Sequence, residues 1–159
     1  MLERLLNRAC RLISDRLPYR VIPRPDGEPY LVRYYLFGGP REESTIRPFN
    51  VYLHLFLSGD EEKELHSHPW SRSMSLILTG GYREERRLDG QVVTRTIRPG
   101  RLNFINADDY HRVDLLKDHA WTLFIAGPST KRSWGFWDRE TGATVPWRQH
   151  VAARETIEA

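Results

Sequence analysis

His66-Ser67-His68-Pro69-Trp70 is the stretch on which the reading of this chain turns. In a β-strand, residues two apart point to the same face, so His66 and His68 can aim both imidazoles at one point. Two neutral imidazoles on a rigid strand are a good start for a transition-metal site. A lone His-x-His pair is weak evidence, because surface or chance pairs are commoner. The surroundings must carry the weight.

Downstream, Met74 to Thr79 is an apolar strand closed by Gly80-Gly81. Tyr82 to Leu88 and Gln91 to Arg98 flank Asp89-Gly90, the strongest hairpin signal in the chain. Pro99-Gly100 makes another turn before a strand from Leu102 to Asn106. His111 to Leu116 and Ala120 to Ala126 follow, separated by Lys117-Asp118. Upstream, Phe49 to Leu57 reads as a buried strand leading into a polar loop from Ser58 to Glu64. Pro29 to Phe37, rich in tyrosine and branched residues, ends at Gly38-Gly39-Pro40, and Tyr19 to Ile22 is a short strand before it. Many short strands with regular turn signals imply an all-β antiparallel sandwich or barrel.

The N-terminus differs. Leu2, Leu5, Leu6, Ala9, Ile13 and Leu17 have helical spacing, and Pro18 cannot continue the helix. Arginines at 4, 8, 11 and 16 break any signal-peptide core, and Glu3 and Asp15 count against a transit peptide. The expected layout is a helix at 1–17 docked on a β-domain at 18–150, with a polar tail at 151–159 that frays or packs marginally.

At 159 residues the chain can bury a core without disulfides, and its single cysteine, Cys10, allows no intrachain bridge. No apolar run reaches membrane-spanning length. The net charge of +3 is spread by interleaving, as in Arg83-Glu84-Glu85-Arg86-Arg87, rather than gathered into a basic stripe. Nucleic acid and membrane are therefore not expected partners, and a cytoplasmic location is expected. Exposed strand edges favour a homodimer.

With His111 placed after the tight polar stretch Asn106 to Tyr110, the pattern over residues 49–126 resembles the cupin superfamily. That family's first motif has His-x-His, an acidic residue and then a glycine; its second has a turn followed by a histidine. His66, His68, Gly80 and His111 fall on those positions. The resemblance implies a double-stranded β-helix, or jelly-roll barrel, with a divalent metal held by the three histidines. Fe(II) is the first expectation, with zinc, nickel and manganese as alternatives.

Two departures matter. The acidic position falls on Ser73, and the second-motif turn reads Ala107-Asp108-Asp109. Loss of the carboxylate leaves a more positive centre with an open coordination position. This is distantly similar to the thiol dioxygenases, as is His111-Arg112-Val113, but their Ser-His-Tyr constellation has no counterpart in Trp121 to Ala126. The whole layout, with His-Pro-Trp, Gly-Gly-Tyr, His-Arg-Val and Trp-Gly-Phe-Trp, resembles small bacterial and phage-associated cupins of no assigned activity.

Further site residues are expected around the ligands. Trp70, Tyr82, Tyr110 and Trp121 suit an aromatic-walled pocket for a small molecule, with core packing as the bland reading. Tyr82 or Tyr110 could donate a proton. His54 is expected at even odds to face the cavity, and Ser73 to line it. Of the arginines flanking the ligands, strand alternation turns Arg112 away, so Arg72 is the expected clamp for a substrate carboxylate. Glu84 and Glu85 could replace the missing carboxylate, although an exposed charged strand face is several times commoner. The aromatic segment Ser133 to Asp138, with Trp147, is expected to close one end or to form an interface. Three functions stay open: a non-haem Fe(II) oxygenase acting on a small polar molecule, a metal-assisted lyase or isomerase, and a non-catalytic binding module.

Overall fold

The computed structural model describes residues 1–24, 27–39, 48–60, 64–130 and 133–150; the expected tail lies outside them. One helix, α1 (Leu2–Ser14), precedes twelve strands: β1 (Tyr19–Pro23), β2 (Pro29–Phe37), β3 (Asn50–Phe56), β4 (Leu65–His66), β5 (Arg72–Thr79), β6 (Tyr82–Leu88), β7 (Gln91–Ile97), β8 (Leu102–Asn106), β9 (His111–Leu115), β10 (Ala120–Ala126), β11 (Gly135–Trp137) and β12 (Thr144–Pro146). They form two six-stranded antiparallel sheets, ordered β1-β2-β3-β10-β5-β8 and β12-β11-β4-β9-β6-β7. From β3 onward the chain passes repeatedly between the sheets, so each sheet is woven from distant segments.

Local chemistry explains the crossings. Gly80 and Gly81, which carry the chain from β5 to β6, both have positive φ (76° and 90°). A Cβ at Gly80 would sit 2.2 Å from the His119 carbonyl oxygen, so only glycine fits there. Asp89 and Gly90 both have positive φ, as the two central residues of a twist-matched hairpin turn require.

Two apolar clusters line the space between the sheets. One joins Ile77, Tyr82, Ile97 and Val113 with Phe56 and Leu115; the other joins Tyr35, Tyr52, Ile105, Phe124 and Ala126 with Trp70. A third, Cys10, Leu53 and Trp121 with Tyr34, Leu55 and Leu78, lies on the outer face of the first sheet beneath α1. The helix docks on a face turned roughly a quarter turn from the one its leucines suggest. Asn7 Oδ1 accepts from Thr79 Oγ1 at 3.0 Å and meets His119 Nε2 at 3.1 Å. Glu3 accepts from the Gly80 amide and pairs with Lys117, and Cys10 and Ser14 are buried. Leu2, Leu5, Leu12 and Ile13 face outward.

Candidate metal centre

Cross-strand pairing assembles the histidines. His66 pairs directly with His111 of β9, and Phe136 of β11 flanks it on the other side. The strand ends at His66, so His68 is positioned by the turn rather than by strand alternation. Ser67 pins that turn: its amide donates to the Gly135 carbonyl at 2.9 Å, and its Oγ accepts from the Gly135 amide at 3.2 Å. The three imidazole centroids form a nearly equilateral triangle with sides of 5.1, 5.0 and 5.0 Å. One nitrogen from each ring lies within 4.8 Å of the others.

The arrangement fits a metal ion. His111 Nδ1 lies 2.8 Å from Glu84 Oε1. An ionised carboxylate only accepts, so Nδ1 carries the proton, and in the neutral ring Nε2 presents a lone pair. That lone pair faces His68 Nε2 at 2.8 Å. Metal–nitrogen bonds of about 2.1 Å place neighbouring ligand nitrogens about 3 Å apart, close to this separation. Burial lowers the pKa of His66 to about 4, the Asp60 carboxylate opposing the shift, and lowers that of His68 well below the ordinary value. Both rings are therefore neutral at pH 7, the form that binds metal.

Glu84 is the organising residue that the sequence reading placed on a charged outer face. It is fully buried. Tyr82, Glu84 and Arg86 share the inner face of β6, while Arg83 is exposed and Glu85 pairs with Arg139. Glu84 Oε1 accepts from Arg86, Asn103 and His111, and Oε2 accepts from Arg95 at 2.6 Å. Burial alone would raise its pKa, but the hydrogen bonds from His111 and Asn103 and the charge of Arg86 hold it well below the carboxylate range. Glu84 thus fixes the tautomer and ring orientation of His111 rather than joining the ligand set. Counting by twos from Tyr82 is the sequence signal that finds it.

The imidazoles open onto a cavity of about 580 Å³ between the sheets. His54, Trp70 and Tyr82 line it. Trp70 stacks on His68 at 5.5 Å and packs against Phe124. His54 is buried and accepts from Arg33 Nε at 3.1 Å. Burial, with the Arg33 charge second, lowers its pKa well below the ordinary histidine value. Tyr82 accepts from Asn103 Nδ2 at 3.1 Å, and burial pushes its hydroxyl up to about 12, so it stays protonated. Asp60 also lines the cavity, with Oδ2 taking the Val113 amide at 2.6 Å and lying 3.9 Å from His66 Nδ1. Trp134 and Trp147, stacked at 5.5 Å, complete the wall.

Four expected site residues lie elsewhere. Arg72 is exposed at the start of β5, because alternation turns its neighbour Ser73 inward. Ser73 is buried, but its Oγ donates to the Ile105 carbonyl, and Ser75 on the same face lines the cavity instead. Trp121 is buried on the outer face of the first sheet, stacked on Tyr34 at 5.9 Å beneath α1. Tyr110 lies in the turn before β9, outside the cavity lining.

No protein-family model matches the chain, and no curated protein matches it in sequence. Solved structures do resemble it in fold. Hydroxypropylphosphonic acid epoxidase from S. wedmorenis aligns with a TM-score of 0.53 and 12% identity over 71% of this chain and 56% of that one. HEPD of Streptomyces albus, with 2-hydroxyethylphosphonate and Fe(II) bound, aligns at 0.57 and 13% over 74% of this chain and 25% of its own. A proposed mannose-6-phosphate isomerase from Ralstonia eutropha JMP134 aligns at 0.50 and 16% over 65% of this chain and 89% of its own. This chain thus spans little more than half of the epoxidase and a quarter of HEPD. At these identities the likeness is one of fold, and the fold is cupin-like.

Proposed function

We propose that this chain is a cupin that binds a divalent metal, Fe(II), and acts as a non-haem oxygenase on a small polar molecule. The observation that carries the reading is the convergence of three imidazoles on one point at a cavity, with Glu84 orienting one of them. The Fe(II)-bound HEPD structure, similar in fold, supports the choice of iron. Fe(II) bound by three neutral histidines supplies a redox centre with open positions for substrate and dioxygen.

The chain's own residues do the rest. Glu84 holds the proton on His111 Nδ1 and so keeps Nε2 directed at the site. Trp70 and Phe124 buttress the His68 side, and Trp134 and Trp147 wall the cavity. Tyr82 keeps its phenolic proton at neutral pH and offers it within the cavity.

The test is dioxygen uptake by iron-loaded protein supplied with small hydroxy acids, phosphonates and thiols. Uptake that depends on one substrate class and disappears in His68→Ala supports the oxygenase. Substrate conversion without dioxygen, sustained by zinc or nickel, would replace it with a Lewis-acid lyase or isomerase.

A further inference from the structure

We infer that the cavity holds a subsite for the oxyanion end of the substrate, a carboxylate or phosphonate, built on Arg33. This rests on reading the cavity as a small-molecule site. Arg33 faces the cavity from the middle of β2. Its neighbours across the sheet are Arg20 on β1 and His54 on β3, directly paired in register, and both also line the cavity. The inner face of this sheet therefore carries a row of arginine, arginine and histidine.

The guanidinium is held but not neutralised. Nε donates to His54 Nε2 at 3.1 Å, and Cζ lies 4.9 Å from the Tyr52 ring centroid and 5.6 Å from that of Trp70. These contacts fix the plane of the fork and leave its terminal N–H groups without an acceptor among the described residues. No described carboxylate pairs with it. Asp60 takes the Val113 amide, and Glu84 is occupied by Arg86, Arg95, Asn103 and His111. His54 brings no negative charge, and Arg20 adds a second positive one.

A half-buried cation with no counter-charge is poorly compensated, and a planar fork with unused parallel donors matches an oxyanion in bidentate fashion. Trp70 links this subsite to the imidazoles, since its ring touches both Arg33 and His68. A ligand of a few heavy atoms can hold the fork with one end and face the histidines with the other.

Isothermal titration of the purified protein with glycolate, methylphosphonate and the neutral analogue glycolamide tests the inference, with metal content measured on the same samples. The expected result is that at least one oxyanion binds roughly tenfold or more tightly than glycolamide. That preference should vanish in Arg33→Gln, weaken in Arg33→Lys and persist in Arg72→Gln, whose parent residue is exposed. Thermal unfolding separates binding from structure: a cation without a counter-charge predicts that ligand-free Arg33→Gln, whose amide can still donate to His54, melts close to wild type. Equal binding of acid and amide by wild type, or unchanged oxyanion binding by Arg33→Gln, overturns the inference. Arg33-dependent oxyanion binding in a protein that takes up no metal would uphold the subsite and refute the oxygenase.

Discussion

Replacing Glu84 by alanine removes the one carboxylate on which four side chains converge. Arg86 is 7% exposed and would keep only the Phe104 carbonyl, Asn103 and Asp109. Breaking a buried charge pair by deleting one partner costs about 3–5 kcal/mol. Arg95 is about half exposed, so its share is screened by water and adds little. For a chain of this size each kcal/mol lowers the melting temperature by about 2–4 °C, so a fall of roughly 10 °C is expected. The same substitution frees His111 Nδ1, and losing such a partner typically weakens metal binding about 10–100-fold. Calorimetry gives the first number, and competition with a metal indicator well below the melting point gives the second. Glu85→Ala, which removes only the outer pair with Arg139, should cost under about 1 kcal/mol. If Glu84→Ala melted within a degree or two of wild type, or bound metal as tightly, the role assigned to Glu84 would be refuted.

Other outcomes follow from the same geometry. Trp121→Ala should cost about 3–5 kcal/mol by emptying the layer under α1, while metal stoichiometry stays unchanged. Gly80→Ala should lower the yield of folded protein on expression, because its Cβ meets the His119 carbonyl and its φ is positive. Metal-free protein should lose stability as pH falls below about 6.5, seen in melts across a pH series. His54, His66 and His68 have depressed folded-state pKa values, so the unfolded chain takes up protons first and their contribution is complete only above the ordinary histidine value. Glu84, also depressed, contributes fully above the ordinary carboxylate value of 4.5 and loses its contribution only as pH falls below that. A homodimer built on an exposed strand edge predicts twice the chain mass by light scattering; a monomeric mass refutes it.

Much of the fold was legible because it is written in local chemistry. Glycine-rich turns and alternation mark Pro29–Phe37, Tyr82–Leu88, Leu102–Asn106 and Ala120–Ala126 at the bounds the structure has. What was not legible depends on pairing between distant segments. β4, β11 and β12 have two or three residues each, too few to show a period, and exist through one another. The inner face of β6 could be read by counting from Tyr82, yet Arg-Glu-Glu-Arg-Arg looks like solvated surface until Asn103 and His111 are brought beside it. Arg33 lies far in sequence from every histidine except His54, and only the β2–β3 register brings it to the cavity. The helix misled for the same reason: its leucines have the right spacing, but the sheet beneath offers Thr79, Gly80 and His119, which polar residues satisfy.

Metal content tests the three-histidine centre most directly, measured on protein purified without added metal beside a His66→Ala/His111→Ala double variant. Near-stoichiometric iron is expected in the wild type and none in the variant. Protein that is empty, and stays empty after ferrous iron is supplied under anaerobic conditions, would contradict a metal centre at these histidines.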